Sequence, residues 1–175
     1  MVDVREGFIC KAIHRGRDVY FIWVSDSDPN MRDRVLLDAE NQIPAFSSEG
    51  AARGFAAAKV STVSEGLAHA YHFDVLAEWC ATPRAVELDV KAALDAWNLF
   101  TDLEYKSEEA TNLFDQVQGS ANALYDKLFW ANNLPSVTPD GEKFTPEWEQ
   151  SELDRLSWVL SAGLREFVSR FRSAT

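Results

Sequence analysis

The sequence predicts an α+β fold in which an N-terminal antiparallel β-meander with a short helix is followed by a C-terminal helical bundle packed on it. Two observations predict this class. β-Branched and aromatic residues fill short runs between turn residues in the first 60 positions. Apolar side chains then recur every three or four positions through most of the remaining chain. At 175 residues we expect one domain, mainly β over 1–60 and mainly α over 61–175.

The N-terminal pattern predicts four strands and one short helix. The expected strands are residues 6–14, 18–25, Arg34–Leu37 and Ile43–Phe46, and the helix runs from Ser47 or Ser48 to Ala58. The run Val19–Val24 is apolar on both faces, which is typical of a central strand covered on both sides. Residues His14–Arg17 form the expected turn between the first two strands, and Pro44 limits the fourth strand to a sheet edge.

The C-terminal pattern predicts four helices. They are expected from Asp74 to Cys80, from Val86 to Tyr105, from Ser107 to Ala131 and from Thr145 to about Phe171. In the second of these, Val86, Val90, Ala93, Trp97 and Phe100 face inward, and Glu87, Lys91, Asp95, Asn98 and Asp102 form the opposite stripe. Thr145 as cap and Pro146 in the first turn predict the start of the last helix, which has an apolar face with Leu156, Leu160 and Phe167.

The charge is strongly negative and unevenly distributed. The chain has a net charge of −11, and residues 1–60 contain nine acidic and eight basic side chains. The acidic excess therefore falls in residues 61–175. This negative charge repels the phosphate groups of nucleic acids, so direct nucleic-acid binding is not expected. A basic protein partner would be attracted, and its association would be faster.

The remaining composition predicts a cytoplasmic protein. Cys10 and Cys80 are isolated among apolar neighbours, which is typical of packed, reduced thiols. The first 16 residues contain five charged side chains and no continuous apolar segment of a signal peptide. No run of about 18 apolar residues could span a bilayer, so no membrane association is expected.

The sequence contains no recognisable catalytic or cofactor-binding motif, and we expect no enzyme activity, cofactor or metal. Residues Glu65, His69 and His72 would share one helical face, but an extended segment before Asp74 would turn the two imidazoles apart. Asp26–Asn30 resembles the start of a calcium loop. That loop would place Met31 where glycine is needed and Leu37 where a bidentate glutamate is needed.

Two segments rich in aromatic and asparagine residues stand out, Trp97–Asp102 and Tyr125–Pro135. One interpretation is structural. Trp97, Phe100, Leu128 and Trp130 would fill the core, and Asn132 or Asn133 would end a helix in the left-handed conformation. The other interpretation is functional, because amide groups beside an aromatic ring suit an interface hot spot.

These segments carry a resemblance. Trp-Asn-Leu-Phe, Tyr-Asp-Lys-Leu-Phe-Trp-x-Asn-Asn-Leu-Pro, Thr-Pro-x-Gly-Glu and Pro-x-Trp resemble a group of small acidic bacterial proteins over roughly Tyr71 to Phe171. In size, acidity and lack of catalytic motifs, the chain is also similar to immunity proteins of bacterial toxin systems. The resemblance assigns no role to any individual residue.

The leading hypothesis is a non-enzymatic immunity protein that neutralises a basic toxin, such as a nuclease, by covering it with an acidic surface. The expected partner-binding residues are Glu87, Asp95, Asn98, Asp102, Glu104, Glu108, Glu109, Trp130, Asn132 and Asn133. Two alternatives remain open. One is a small-molecule-binding domain or enzyme with a pocket lined by tryptophan and asparagine. The other is a structural subunit of a homo-oligomer.

Overall fold

The computed structural model describes residues 5–26, 32–103 and 121–174. The described strands are β1 (Arg5–His14), β2 (Arg17–Asp26), β3 (Arg34–Val35), β4 (Ile43–Ala45), β5 (Thr62–His72) and β6 (Phe171–Ser173). The described helices are α1 (Glu49–Ala57), α2 (Phe73–Ala81), α3 (Val90–Thr101), α4 (Ala121–Ala131) and α5 (Gln150–Ser169). The architecture is α+β, with an N-terminal antiparallel meander, as predicted.

The main sheet has the strand order β3-β2-β1-β5. The β1–β2 hairpin and the β2–β3 pair are antiparallel, whereas β5 pairs with β1 in parallel. Arg15 and Gly16 form the hairpin loop with φ angles of 52° and 68°. Positive φ at both positions characterises the tight turn that matches the twist of two antiparallel strands.

The sheet is covered on both faces, as the apolar run in β2 predicted. On one face, Ile9, Ile22 and Val24 pack with Phe46 and the α1 residues Ala52 and Ala56. On the other face, Phe21 packs into a larger core formed with α2, α3, α4 and α5. Adjacent residues of one strand therefore belong to two different cores.

Two features depart from the predicted strand pattern. The first is β5, an 11-residue strand in the part of the chain expected to be mainly helical. The second is the position of β4, which leaves the main sheet and pairs in parallel with β6 at the end of the chain. Tyr20 and Phe46 also exchange backbone hydrogen bonds of 2.9 Å, which holds the residue after β4 against β2.

Three predicted helix starts are wrong. Asp74 does not cap α2, because its carboxylate accepts hydrogen bonds from the backbone N–H groups of Arg15 and Gly16 at 2.7 and 2.8 Å. α3 begins at Val90, not Val86, and the side chain of Asp89 caps it by accepting from Ala92 N at 2.9 Å. α3 ends at Thr101, so its predicted extension to Tyr105 is also wrong within the described residues.

The third wrong start is that of the last helix. α5 begins at Gln150 rather than at Thr145–Pro146. Glu149 occupies the cap position, and its backbone N–H donates to the Glu152 carboxylate at 2.9 Å. This reciprocal arrangement is a capping box, which satisfies backbone donors that the first helical turn leaves unpaired.

Other predicted elements agree with the structure. Ser48 caps α1 by accepting from Ala51 N at 3.3 Å. The predicted helix from Ser107 to Ala131 is described only as α4, and its first part lies outside the described residues. No helix within the described ranges is long and apolar enough to cross a membrane.

Candidate functional site

Two of the predicted partner-binding residues lie on α3 and a third, Asp102, directly follows it, and each is bonded within the protein. Asp95 Oδ2 lies 2.5 Å from Lys91 Nζ and 3.3 Å from His69 Nε2 on β5. Asn98 Oδ1 accepts from the Tyr125 hydroxyl at 3.0 Å. These contacts join α3 to β5 and to α4, so the side chains hold the fold together as well as facing outward.

Asp102 has a similar structural role. Its Oδ2 accepts from Trp23 Nε1 at 2.9 Å, and its backbone carbonyl accepts from Val35 N at 2.9 Å. The C-terminal end of α3 is therefore fixed to β2 and β3. Replacing Asp102 or Asp95 would change stability together with surface charge.

Of the other predicted acidic residues, Glu87 is the one within the described ranges, and it does not lie on α3. Glu87 lies before α3 in a 3-10 turn at Ala85–Glu87, with its carboxylate 3.6 Å from Arg84 Nη1. Glu104, Glu108 and Glu109 lie outside the described residues. Because α3 starts at Val90, Glu87 does not continue the predicted stripe of polar residues on this helix.

A small cavity lies beside the His69–Asp95 pair. Its volume is about 180 Å³, below the usual range for ligand pockets of roughly 300–1,000 Å³. Burial lowers the pKa of His69 against the opposing effect of Asp95, so the imidazole is mainly neutral at pH 7. The described lining residues include Lys91, His72 and Tyr71.

The described residues hold no group of three or more His, Cys, Asp or Glu side chains arranged to bind a metal. His69 and His72 lie on strand β5, so the helical spacing that could have joined them to Glu65 does not apply. Both cysteines are free thiols. Burial raises the pKa of Cys10 to about 12, which keeps this thiol protonated and unreactive.

The asparagine segment at the end of α4 is a structural junction. Asn133 has a φ of 48°, which confirms the predicted left-handed conformation at this helix end. Asn132 Nδ2 donates to the carbonyls of Val90 and Leu128 at 3.1 and 2.8 Å. The first bond reaches the first residue of α3, so this amide joins the end of α4 to the start of α3.

Asn133 holds the segment that precedes α5. Its Oδ1 accepts from Phe144 N at 2.6 Å, and its Nδ2 donates to the carbonyls of Phe144 and Ala131 at 2.9 and 2.8 Å. The amide thus satisfies both backbone groups of Phe144, as a neighbouring β-strand would. This pairing fixes the chain in a non-helical conformation where Thr145 and Pro146 had predicted a helix start.

Lys127 fixes the other end of this segment. Its Nζ donates to the two carboxylate oxygens of Glu152 at 2.8 and 2.6 Å and lies 4.9 Å from the centre of the Trp148 ring. The hydrogen bond from Lys127 is the largest of several effects that lower the pKa of Glu152. Trp148 is therefore held between α4 and α5 by a charged hydrogen bond and a cation–π contact.

These contacts build a groove with a volume of about 510 Å³. Its walls come from the 3-10 turn, the start of α3, the end of α4 and the segment 143–148. Val86 and Phe144 line the groove and are 92% and 46% exposed. Trp130, the residue before the lining residue Ala131, is also 46% exposed. The groove therefore exposes large apolar side chains beside hydrogen-bonded backbone.

The tryptophans of the two aromatic segments have different environments. Trp97 is 5% exposed and, with Phe100 and Leu128, belongs to the main core. Trp130 does not fill the core, contrary to the structural interpretation of its segment. Because α4 turns Leu128 inward, the residue two positions later points away from the core.

The segment that borders the groove is acidic and exposed. Residues 139–149 contain four acidic side chains and one lysine, Lys143. Asp140, Glu142 and Glu147 are exposed. The groove therefore joins an apolar surface to a negative rim, a combination that suits a basic protein partner.

Asn133 provides a direct test of this frame. We expect Asn133→Gly to lower the free energy of unfolding by about 1–2 kcal/mol, because the left-handed backbone is kept while the side-chain hydrogen bonds to Phe144 and Ala131 are lost. Asn133→Val should cost about 1–2 kcal/mol more, because a β-branched residue is strained at positive φ. Urea unfolding followed by circular dichroism measures both values, and equal stability of the two variants would contradict the assignment.

The sequence pointed to Trp130, Asn132 and Asn133 but not to Val86 or Phe144. The predicted pattern places Val86 on the inner face of a helix, but α3 starts four residues later, at Val90. Phe144 lies in a short segment without periodicity, and its only local signal is the preceding turn around Pro139–Gly141. Its partner Asn133 is 11 positions away, which no local pattern specifies.

No family model and no curated protein matches the sequence. A similar solved structure is the C-terminal domain of SatS in complex with bromine. The two chains are 15% identical, with a TM-score of 0.45, and the match covers 96% of this chain and 94% of the other.

Proposed function

We propose that the protein is a non-enzymatic binding protein that captures a basic protein partner through the groove beside α4. The partner class that fits best is a bacterial toxin domain with a positive surface, such as a nuclease, which this protein would neutralise in the cytoplasm as an immunity protein. The groove, with the half-exposed ring of Phe144 in it and that of Trp130 beside it, is the observation that supports the proposal.

The groove has the properties of an interface centre. Phe144 and Trp130 are large rings that need little ordering on binding, and aromatic residues dominate the binding energy of protein interfaces. The groove wall is held in place, since Asn133 bonds to the backbone of Phe144 and Lys127 lies over the ring of Trp148. A preformed surface costs less conformational entropy when a partner docks.

The charge supports a basic partner. A positive toxin surface would be attracted by the net charge of −11 and oriented by the acidic rim at 139–149. On this proposal the exposed residues Asp140, Glu142 and Glu147 speed association. Asp95 and Asp102 contribute to the field, but their hydrogen bonds serve the fold.

The test is protection of growth. Each basic toxin domain encoded beside the gene for this protein is expressed with the wild-type protein or with Phe144→Ser or Trp130→Ser. We expect the wild type to protect, and we expect each variant to lose about thirtyfold in affinity for the same toxin domain, as for an interface hot spot. Trp158→Ser is the matched control, because Trp158 is an exposed tryptophan on α5, whereas Trp130 directly precedes the groove residue Ala131.

The charge contribution is measured on the same complex. Reversing Asp140, Glu142 and Glu147 to lysine should slow association about tenfold at low salt and have little effect at high salt. Circular dichroism checks that each variant is folded. Lack of protection and of complex formation with every neighbouring toxin domain would overturn the proposal, as would full protection by both the Phe144 and the Trp130 variant.

A further inference from the structure

A second cleft lies between the tip of the β1–β2 hairpin, the residues after β4 and the C-terminal part of α5. Its volume is about 780 Å³, within the usual range for small-molecule sites. Three arginines line it, namely Arg15 and Arg17 from the hairpin and Arg165 from α5. In a protein with a net charge of −11, this is a local concentration of positive charge.

The hairpin tip that carries two of these arginines is fixed in place. The Asp74 carboxylate accepts from the backbone N–H groups of both loop residues, Arg15 and Gly16. These two bonds lower the pKa of Asp74, so the carboxylate stays ionised and the contact persists at neutral pH. A hairpin loop is ordinarily mobile, but this one is held against the start of α2.

Arg15 is an unusual residue for its position. Its φ of 52° lies in the left-handed region, which turns of this type usually fill with asparagine, aspartate or glycine. An arginine there costs conformational energy relative to those residues. Strained positions of this kind often serve a function, and here the chain places a guanidinium group at the rim of a cleft.

The charges facing the cleft are mostly uncompensated. Within the described residues, none of the three guanidinium groups forms an ion pair. Asp18 lines the cleft, but its carboxylate lies 3.3 Å from Lys11 Nζ. His14 also lines it, and burial followed by the charge of Arg15 lowers its pKa, so it contributes a neutral imidazole.

The rest of the cleft is lined by apolar side chains and by serine hydroxyl groups. Val19, Val168 and Phe171 are half-buried lining residues, and Ser47 and Ser173 lie among them. Guanidinium groups pair with carboxylate and phosphate oxygens through two parallel hydrogen bonds. Apolar side chains beside them offer contact to the body of the molecule that carries the anionic group.

We propose that this cleft binds a small organic oxyanion, a phosphate or carboxylate group attached to an apolar body, with Arg17 and Arg165 holding the anionic group. Arg15 closes the site from the fixed hairpin tip. This site is separate from the groove proposed for the protein partner and does not depend on it.

The test is isothermal titration calorimetry of the full chain at constant ionic strength. The probes are phenyl phosphate, phthalate and inorganic phosphate, which separate phosphoryl from carboxylate recognition and show the contribution of the apolar body. We expect saturable binding of phenyl phosphate or phthalate that is tighter than binding of inorganic phosphate. Arg17→Gln and Arg165→Gln should each weaken it about tenfold, through loss of charged hydrogen bonds.

Arg155→Gln is the matched control. Arg155 lies on α5 like Arg165, is exposed, and does not line the cleft, so the substitution changes the net charge equally without touching the site. Its affinity should stay within about twofold of the wild type, since a remote exposed charge contributes little. Absence of saturable binding by the wild type would overturn the proposal. Equal weakening by Arg155→Gln would also overturn it, because binding would then follow net charge alone.

Discussion

Replacing Phe167 with alanine is expected to lower the free energy of unfolding by about 3–5 kcal/mol. The side chain is fully buried near the C-terminal end of α5. The centre of its ring lies 5.4 Å from that of Phe21 on β2, 5.7 Å from Phe73 on α2 and 5.8 Å from Phe100 on α3. One ring therefore joins the sheet to three helices, and removing it leaves a cavity that no single element can close.

Urea unfolding measures this loss, with equal slopes for wild type and variant as the condition for comparison. Phe167→Leu is the control, because it keeps most of the volume and should cost clearly less than the alanine variant. A double-mutant cycle with Phe21→Leu tests the ring contact itself, for which we expect a coupling of about 0.5–1.5 kcal/mol. Additive effects would mean that the edge-on contact between these rings contributes no stability of its own.

The parts of the fold that the sequence predicts well are those in which local pattern and tertiary environment agree. β2 alternates between two buried faces, and its run from Val19 to Val24 shows this directly as continuous apolar sequence. The apolar face of α5 is equally clear, since Leu156, Leu160 and Phe167 are all fully buried. In both elements the periodicity of the side chains is sufficient to define the buried surface.

Strand β5 could not be predicted in this way. Residues 65–68 are exposed on both faces of the strand. Their sequence therefore lacks the alternation of apolar and polar residues that marks a half-buried strand. Gly66 has a φ of 74°, and the pairing register with β1 shifts near this position. The strand forms because β1 offers an unpaired edge, which is a property of the tertiary structure and not of the segment.

Two of the three wrong helix starts share one physical cause. Asp74 and Thr145 are suitable caps by residue type, but long-range contacts compete for the backbone or the side chain. The Asp74 carboxylate accepts a hydrogen bond from the hairpin loop at Arg15. The residue before Thr145, Phe144, is hydrogen-bonded to Asn133. Local sequence identifies candidate caps, whereas the packing decides which of them are used.

The candidate groove was predictable only in part. The left-handed helix end at Asn132 or Asn133 follows from local chemistry, because asparagine tolerates this conformation and Pro135 cannot continue the helix. The pairing of Asn133 with Phe144 does not follow from it. The sequence indicated Trp130, Asn132 and Asn133 as recognition residues; in the structure the two amides bond to the backbone, whereas the Trp130 ring is half-exposed.

Replacing Leu160 with alanine is the second large effect, with an expected loss of about 2–5 kcal/mol. Leu160 is fully buried in the middle of α5, in the core that contains Trp97, Leu128 and Leu156. The helix is held at both ends, by its capping box and by β6, so it cannot move freely to fill the space. Incomplete relaxation is what makes such cavities costly.

The control is Trp158→Ala, two residues earlier on the same helix. Trp158 is a larger side chain but is 54% exposed, so its removal should cost less than about 1 kcal/mol. Both variants are measured by urea unfolding under identical conditions. If Trp158→Ala were the more damaging change, α5 would face the core with its other side. The positions assigned to its buried face, and with them the frame that holds the groove, would then have to be revised.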